Sequence, residues 1–350
     1  MTPLSAPIPL DSGPAPRNAF RRALAAWYRK NGRDLPWRRT RDPYAILVSE
    51  LMLQQTQVTT VLPYYSEWLR RFPTVAALAA ASESDVLHTW QGLGYYARAR
   101  NLHAAAKAIV HEHSGHFPEN AEVLRRLPGV GRYTANAVAS FAFNAAVPIV
   151  EANTARLFAR LLDLRTRIDS GAGRDRLWSL ADTLIPARGS RLHNSALMDL
   201  GALICVAGEP RCGACPVRSF CCAQTPASLP VKAPRATLKL LKEDHELSLE
   251  NGKIWLEQSR GRWRGMWTLP RIPARPEPAR LLYSADFPFT HHRITLRVYE
   301  PSPARAASNH GWRCFTIEQL ATIPMPSPHR RALNALLQGG NKRWTFGPGR

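Results

Sequence analysis

The sequence has few cysteines and no long apolar run. No stretch approaches the ~20 apolar residues that a membrane-spanning helix needs, so we expect no membrane association. The chain has only six cysteines in 350 residues, and five of them lie between Cys205 and Cys222. A secreted disulfide framework would spread cysteines along the chain. The clustering therefore favours a metal site in a reducing, cytoplasmic compartment.

Acidic residues are too few to balance the basic ones. The chain has 26 Asp and Glu against 47 Lys and Arg, which gives a formal net charge of +21. Such a surface attracts polyanions, and nucleic acid is the commonest of these partners. An arginine-rich composition can also reflect a GC-rich genome, so charge alone does not establish DNA binding.

The periodicity of the chain changes once. Helical patterns dominate from residue 18 to about residue 225, with no alternation of strands and helices. Asp42 followed by Pro43 predicts a capped helix that opens the run 44–61. Later segments alternate as strands do, and Asn251-Gly252 predicts a hairpin turn between two of them.

This change predicts a domain organisation in five parts. The prolines and small residues at the start lack the apolar segment of a signal peptide and predict a disordered leader. The parts are a disordered leader (1–17), a mostly α domain (18–225), a linker (226–235), a small α+β domain (236–338) and a basic tail (339–350).

Four cysteines form a compact box with the spacing C-x6-C-x2-C-x5-C, namely Cys205, Cys212, Cys215 and Cys221. Four thiolates at this spacing can surround one metal centre without distant ligands. Zinc also occupies four-thiolate sites. Zinc sites more often contain two C-x2-C pairs, and the single pair here favours a [4Fe-4S] cluster. Cys222 is an adjacent spare ligand.

A glycine-rich turn lies between two helical segments, where the sequence reads LPGVGR over residues 127–132. Gly129 and Gly131 let backbone N–H groups approach an anion closely, and the next helix points its positive end at the same place. We interpret this turn as a DNA-phosphate hairpin that is blind to base sequence. A tight turn without a ligand is the plainer interpretation.

Together, the hairpin and the cysteine box resemble the helix-hairpin-helix DNA glycosylases that carry an iron-sulfur cluster. Two further segments are similar to the MutY-type adenine DNA glycosylases within that superfamily: SELMLQQTQ at residues 49–57 and GLGYYARARNL at residues 92–102. The resemblance is close over residues 18–225 and loose beyond.

The resemblance implies a fold, a cofactor and an activity. The fold is a mostly α helix-hairpin-helix glycosylase domain with a [4Fe-4S] box, followed by a small α+β MutT-like (Nudix-fold) domain. The activity is monofunctional hydrolysis of adenine mispaired with 8-oxoguanine or G in base excision repair. We expect a monomer that acts on double-stranded DNA and flips the base out of the stack.

Glu50 is the first candidate catalytic residue. It lies among aliphatic residues in a helical run, where lost hydration raises the pKa of a carboxyl and keeps it protonated. The resemblance assigns Glu50 the role of general acid toward adenine N7. The alternative is a buried structural glutamate paired with an arginine.

Glu151 is the second candidate, and it departs from the family pattern. The family has Asp-Gly-Asn where this chain has Glu151-Ala152-Asn153. The charge that stabilises the cationic sugar is kept on a longer side chain. Tyr133 stands where related bifunctional enzymes have a Schiff-base lysine, so hydrolysis by water is expected. The resemblance implies that Tyr133 and Asn153 orient the carboxylate or the water.

The resemblance also implies a set of DNA-binding and base-binding residues. Trp37 and Arg38 would flank the flipped adenine. Gln55 and Tyr95 would enter the duplex beside the lesion, and Leu53, within the motif at residues 49–57, would also contact the DNA. Read without the family, Trp37 and Tyr95 would be core aromatics. Ser195 is a second departure, because the family usually has Gln or Glu there.

The C-terminal part matches a lesion-reading domain loosely. Phe289, Thr290 and His291 stand where the family has Phe-Ser-His, and Thr290 keeps the hydroxyl. An ordinary hydrogen-bonded hairpin is an equally good interpretation. The acidic Nudix box is absent, which excludes pyrophosphate hydrolysis by this domain.

Two other functions remain open at this point. The departures at Glu151 and Ser195 allow a related glycosylase that removes a different mispaired or damaged base. A non-catalytic DNA-binding iron-sulfur protein is the other alternative, and the intact Glu50 argues against it.

Overall fold

The computed structural model describes residues 7–10, 12–234, 237–272, 280–301 and 311–339. The chain forms two compact units. The first contains the described residues up to 79 and residues 104–234, and the second contains residues 80–103 and the described residues from 237 onward. Within the described residues, no helix is both long and apolar enough to cross a membrane.

The first part of the chain is helical, as predicted. The helices in chain order are α1 (Pro14–Asn31), α2 (Pro36–Arg39), α3 (Pro43–Leu53), α4 (Val58–Arg71), α5 (Val75–Ala80), α6 (Glu83–Thr89), α7 (Ala97–Glu112), α8 (Ala121–Leu124), α9 (Arg132–Phe143), α10 (Ala152–Leu161), α11 (Gly171–Leu184) and α12 (Ser190–Leu203). Helix α6 belongs to the second unit, and α7 begins there and ends in the first. Three short 3-10 turns follow, at Cys212–Ala214, Arg218–Phe220 and Pro226–Ser228.

Helix α3 begins where the sequence predicts. The Asp42 carboxylate accepts a hydrogen bond from the Tyr44 N–H at 2.9 Å, and Pro43 is the first helical residue. The predicted single run over residues 44–61 is wrong, because α3 ends at Leu53 and α4 starts afresh. Gln55 has a φ of 56°. This left-handed conformation stops a right-handed helix.

The disordered leader predicted over residues 1–17 is wrong in its last part. Helix α1 begins at Pro14, since a proline at the first helical position lacks only an N–H that would be unpaired there. Leu10 is buried, and the Ile8 N–H donates to the Ser219 carbonyl at 2.8 Å. An apolar side chain that reaches the core orders the segment around it. Residues 1–6 and 11 lie outside the described residues.

The core of the first unit is shared by α1, α10, α11 and α12. Phe20, Leu24, Phe158, Leu184 and Leu200 are fully enclosed there. Burying each such side chain stabilises the fold by ~1.5–3 kcal/mol. The shared core therefore fixes these four helices relative to one another, and with them the residues at their ends.

Helices α10 and α12 approach each other closely at Gly201. A side chain at Gly201 would place its Cβ 2.8 Å from the Cβ of Asn153. Only glycine allows this approach without a shift of one helix. The contact fixes the start of α10 against the middle of α12.

The second unit is α+β, as predicted. Its strands are β1 (Lys239–Glu246), β2 (Leu249–Glu250), β3 (Lys253–Gln258), β4 (Trp267–Thr268), β5 (Leu281–Phe289), β6 (His292–Tyr299) and β7 (Trp312–Thr316), and its later helices are α13 (Ile317–Leu320) and α14 (Ser327–Gly339). One sheet has the order β1-β6-β5, with β1 parallel to β6. The other has the order β2-β3-β4, with β7 also paired to β3.

The predicted hairpin turn at Asn251-Gly252 is confirmed. These two residues join the antiparallel strands β2 and β3, and their φ angles are 50° and 73°. Positive φ at both central residues matches the right-handed twist of the flanking strands. The basic tail predicted over 339–350 lies outside the described residues beyond Gly339.

Candidate active site

Glu50 is a buried carboxyl on α3, with 3% of its surface exposed. The Tyr133 hydroxyl, from the first turn of α9, donates a hydrogen bond to Glu50 Oε2 at 2.7 Å. Burial raises the pKa of Glu50. The hydrogen bond from Tyr133 and the charge of Arg38 oppose this rise, and the charge of Glu151 adds to it. The site can therefore hold a proton on Glu50.

Tyr133 stays a phenol in this position. Burial first, then the charges of Glu50 and Glu151, raise the pKa of Tyr133 well above its ordinary value. A phenol donates its single proton to one acceptor, and here that acceptor is Glu50. The tyrosine thus orients the Glu50 carboxyl from across the α3–α9 contact.

Glu151 is the N-cap residue of α10. Its Oε2 accepts the Asn153 N–H at 2.7 Å, and its Oε1 accepts the Thr154 N–H at 2.9 Å. The Thr154 hydroxyl accepts the Glu151 N–H at 2.8 Å, which completes a capping box. Aspartate is the more common carboxyl at this position. The longer glutamate still brings both oxygens to the helix end.

Two effects compete on the charge of Glu151. Burial raises the pKa of Glu151, and the backbone hydrogen bonds from Asn153 and Thr154, followed by the charge of Arg156, lower it. The positive end of α10 also favours a negative charge at its first turn. The carboxyl is thus held by groups that prefer its ionised form.

Arg156 supports this helix end, and sequence reasoning missed it. Its guanidinium donates to Asn153 Oδ1 at 2.8 Å, to the Gly201 carbonyl at 2.7 Å and to the Cys205 carbonyl at 2.7 Å. One side chain therefore holds the start of α10, the middle of α12 and the first box cysteine. Its spacing of three from Asn153 is the signal that could have found it.

Arg38 and Ser195 contact each other directly. The Arg38 guanidinium donates to the Ser195 hydroxyl and to Met198 Sδ at 3.4 Å, and it lies 5.0 Å from the centre of the Phe141 ring. These three partners are neutral. Ser195 is buried, and the Arg38 guanidinium occupies the space beside its short side chain.

The segment that carries Arg38 is anchored by residues that the sequence did not reveal. Arg33 donates to buried Asp199 Oδ1 at 2.6 Å. Arg191 donates to the carbonyls of Arg38 and Thr40 at 2.6 and 2.7 Å. Hydrogen bonds to charged groups contribute ~1.5–3 kcal/mol each. Helix α12 thus positions α2 as well as Ser195.

Trp37, Leu53 and Gln55 have different surroundings. The Trp37 ring is buried and meets Tyr65 edge to face at 5.3 Å, as a core aromatic does. Leu53 is partly buried at the end of α3, and Gln55 is exposed. Their predicted contacts with base and duplex stay predictions.

The glycine-rich hairpin joins α8 to α9. Leu127 and Val130 are buried, while Gly129 and Gly131 are exposed. Gly129 has a φ of 73°, which favours glycine, and Gly131 is the N-cap of α9 without a side-chain cap bond. The helix begins at Arg132, directly after Gly131. Open backbone at such a helix start suits an anion.

The cysteine box lines one cavity of about 710 Å³, to which Cys205, Cys212, Cys215, Cys221 and Cys222 contribute. No Asp, Glu or His side chain is among its described lining residues. Thiols without carboxylates or imidazoles are the donors that iron-sulfur clusters use.

The box itself is not assembled as a ligand set. In the part of the chain that the structure describes, no group of three or more His, Cys, Asp or Glu side chains is arranged to hold a metal ion. Burial raises the pKa of Cys215 to about 11. Buried Arg160 donates to Cys205 Sγ at 3.3 Å. The donor chemistry fits a cluster, and the ligand set stays a prediction.

The remaining candidate residues lie in the second unit. Tyr95 has a φ of 48° and is 42% exposed, with Arg98 lying 5.4 Å from its ring centre. This exposure differs from that of a core aromatic. Tyr95 lies in the turn before α7, which begins at Ala97.

The β5–β6 hairpin carries the other three. Phe289 ends β5, and Thr290 and His291 form the exposed turn, with a φ of 49° at Thr290. Arg262 lies 4.6 Å from the Phe289 ring centre and donates to Glu243 Oε1 at 3.0 Å. The β5–β6 hairpin is therefore present, and its role in recognising the opposite base stays a prediction.

The comparisons with known proteins agree with this architecture. The sequence matches the HhH-GPD superfamily of base excision DNA repair proteins over residues 48–182. It is 45% identical over 230 residues to an adenine DNA glycosylase of Rattus norvegicus, covering 63% of this chain and 44% of that relative. The chain thus spans less than half the length of the rat relative.

Two further relatives extend the comparison. An adenine DNA glycosylase of Mycobacterium tuberculosis is 46% identical over 215 residues, covering 60% of this chain and 69% of that protein. Among solved structures, a thermostable thymine-DNA glycosylase is similar with a TM-score of 0.55 at 30% identity, covering 59% of this chain and 96% of that chain.

Proposed function

Because the chain belongs to the adenine DNA glycosylase family, we propose that it is a monofunctional DNA glycosylase that hydrolyses the N-glycosidic bond of adenine mispaired with 8-oxoguanine or G. The substrate is double-stranded DNA, on which the protein acts as a monomer. This substrate would place it in the cytoplasm with the nucleoid. The observation that carries the proposal is the buried Glu50 carboxyl, hydrogen-bonded by Tyr133 and within electrostatic reach of Glu151.

Glu50 supplies the proton for the leaving base. Its raised pKa keeps the carboxyl protonated, and the Tyr133 hydroxyl fixes the orientation of Oε2. Protonation of adenine N7 weakens the bond to the sugar, because the base then leaves as a neutral molecule. A positioned general acid contributes ~10²–10⁴ in rate.

Glu151 stabilises the positive charge that develops on the sugar. Both of its oxygens already accept backbone N–H groups, so the carboxylate needs little reorganisation as the charge forms. Water then attacks the sugar. Tyr133 offers no amine for a Schiff base, which favours base release without strand cleavage. The Arg156 guanidinium donates to Asn153 Oδ1 and so fixes the position of the Asn153 side chain.

Arg38 faces the base-binding side of the site. Its present hydrogen-bond partners, Ser195 and Met198, are both neutral. A flipped base that offers an acceptor atom can replace the serine hydroxyl as partner. Trp37 and Leu53 would line the same side of the site. Trp37 would do so from a buried position, where its ring packs against Tyr65.

DNA docking rests on phosphate contacts from the first unit. The exposed backbone at Gly129 and Gly131 suits a phosphate, and the net charge of +21 attracts the duplex. Gln55 and Tyr95 are both exposed and suit insertion beside the lesion. The hairpin with Phe289, Thr290 and His291 would read the opposite base.

The cofactor would be a [4Fe-4S] cluster bound by Cys205, Cys212, Cys215 and Cys221. When bound, it supplies a rigid cross-link between four sulfurs, and no step of base release passes through it. Arg160 would donate to the Cys205 sulfur, and Arg156 holds the Cys205 carbonyl. These contacts keep the first ligand in place from the α10 side.

Single-turnover base release on a panel of duplexes tests the function. We expect adenine release opposite 8-oxoguanine and G, with an abasic product and no strand cleavage until alkali is added. The panel also contains duplexes with mispaired uracil and thymine. Absence of adenine release from an A:8-oxoguanine duplex would refute the proposal.

The panel also tests a related glycosylase with another substrate base. The solved thymine-DNA glycosylase, at 30% identity, motivates this alternative, as does the short side chain of Ser195. Thymine release without adenine release would favour it. A non-catalytic DNA-binding protein is the remaining alternative. Base release by the wild type, lost in Glu50→Gln, would exclude it.

A further inference from the structure

A cavity lined by arginines lies in the first unit, between α1 and the turn that leads into α12. Its volume is about 490 Å³. The polar residues and the glycine that line it are Arg21, Arg22, Arg29, Arg188, Gly189 and His193, and the rest of the lining is alanine, proline and leucine. Among these described lining residues there is no carboxylate. The cavity therefore concentrates positive charge without an acidic partner.

The arginine side chains approach from two elements. Arg22 and Arg29 are exposed on α1, seven residues apart on the same face, and Arg188 is exposed on the turn before α12. Arg21 is already fixed, because it donates to the carbonyls of Leu184 and Ile185 at 2.8 Å each. One guanidinium is thus anchored, and three others remain free to turn toward a ligand.

The start of α12 adds to the positive field. This helix has 14 residues, and its N-cap Gly189 has a φ of 82° and no side-chain cap. One of the first N–H groups, that of Arg191, donates to Asn144 Oδ1 at 3.1 Å, so the helix start is only partly capped and keeps part of its positive charge. Because Gly189 also lines the cavity, that charge acts on the same space as the arginines.

His193 is a further feature of this cavity, independent of the arginines. Only 4% of the residue is exposed, it lines this cavity, and its Nε2 has no hydrogen-bond partner. Burial, and then the charge of Arg21, lower the pKa of His193 to about 3, so the ring is neutral and one nitrogen carries the proton. Among the described residues, ring nitrogens of His245 and His329 also have no hydrogen-bond partner, and of these three histidines only His193 lines this cavity. Nε2 itself has no accessible surface, so the ring must turn toward the cavity before it meets an anionic oxygen.

We propose that this cavity is a phosphoryl-binding site in which Arg22, Arg188 and His193 Nε2 bind the anion. Arginine forks match the oxygens of a phosphoryl group, and the start of α12 adds to the attraction. The phosphoryl group comes from a small phosphorylated ligand or from the DNA backbone. The DNA source rests on the proposed function, whereas the small-ligand source does not.

Titration of the full-length protein with inorganic pyrophosphate tests the small-ligand source. We expect saturable binding by calorimetry that weakens by about tenfold in Arg22→Gln and in Arg188→Gln, since each removes one charge-assisted contact. Arg176→Gln is the matched control, because it removes an exposed arginine of α11 that does not line the cavity. The control should bind pyrophosphate like the wild type.

A second variant tests the role of the histidine. His193→Phe keeps a ring of similar shape and removes Nε2, so it should bind pyrophosphate more weakly while its thermal midpoint stays near that of the wild type. If this variant fails to fold, the two arginine variants decide the question alone.

The salt dependence of duplex binding tests the DNA source. The slope of log affinity against log salt should fall by about 0.9 for each phosphate contact that Arg22→Gln or Arg188→Gln removes. Weaker pyrophosphate binding supports the small ligand, and a changed slope alone supports the DNA backbone. The proposal fails if both measurements are the same in the wild type, these variants and Arg176→Gln. Base release measured in parallel reports on the proposed function separately.

Discussion

Replacing Glu151 by glutamine separates the two tasks of this side chain. The carboxylate accepts two backbone N–H groups at the start of α10, through Oε2 at 2.7 Å and Oε1 at 2.9 Å. A glutamine can accept with one oxygen only, and its NH2 group would face the other N–H. The variant therefore loses the charge and half of the helix cap.

The loss of charge should dominate the rate. A carboxylate at about 4 Å from a sugar cation, with an effective dielectric of roughly 20, stabilises it by ~4 kcal/mol. Since each ~1.4 kcal/mol changes a rate tenfold, base release should slow by about 10³ in Glu151→Gln. The weakened cap should cost ~1–2 kcal/mol of folding free energy.

Glu151→Asp is the matched variant. Aspartate keeps the charge and is a preferred N-cap residue, so the cap and the fold should both survive. We expect a rate within about tenfold of the wild type, because only the position of the charge changes. The assay is single-turnover base release with enzyme in excess, combined with thermal unfolding of each variant.

The base-release rates of the two variants, each compared with the wild-type rate, test this reasoning. A folded Glu151→Gln protein that releases base within about threefold of the wild-type rate would refute the reasoning, since such a ratio is under 1 kcal/mol. The cation would then be stabilised by another group. A slow Glu151→Asp beside a slow Glu151→Gln would show instead that position matters as much as charge.

Three further predictions concern other parts of the chain. Glu50→Gln should abolish base release. Because burial raises the pKa of Glu50, the folded wild type binds more protons than the unfolded chain above the ordinary carboxyl range. Its stability relative to the variant should therefore fall in thermal melts as the pH rises above that range. Cys212→Ser should lower both the thermal midpoint and DNA affinity, whereas Cys314→Ser, outside the box, should change neither. Arg262→Gln removes a cation held 4.6 Å from the Phe289 ring, and should reduce the preference for 8-oxoguanine over G by about two- to fivefold, as expected for ~0.5–1 kcal/mol; an unchanged ratio of the two rates would contradict it.

Local patterns predicted the elements of the fold well. The Asp42–Pro43 cap and the turn at Asn251-Gly252 are both present, because each depends on residues that are adjacent in sequence. The split of the run 44–61 was not predicted. The break falls at the polar residues 54–57, which read QQTQ, and no glycine or proline there marks the left-handed backbone at Gln55.

The supports of the candidate site were harder to predict. Arg156 joins α10 to α12 and to the cysteine box, and Asp199 anchors the segment that carries Arg38. These contacts join residues far apart in the chain. The spacing of three between Arg156 and Asn153 is local, but it does not indicate the contacts with α12 or with the cysteine box. The sequence indicated that Glu151 keeps a charge, but it could not indicate that both oxygens cap a helix.

Burial alone would give the two carboxyls the same behaviour, since it raises the pKa of both Glu50 and Glu151. The difference lies in their hydrogen-bond donors. Glu151 accepts two backbone N–H groups at the positive end of α10, whereas Glu50 accepts the hydroxyl of Tyr133. Backbone donors at a helix start favour the anion more strongly than one neutral phenol does. As the pH rises, Glu151 should therefore ionise first, and its charge then raises the pKa of Glu50 further. The proton stays on the carboxyl that must donate it, and the charge stays on the carboxyl that must face the cation.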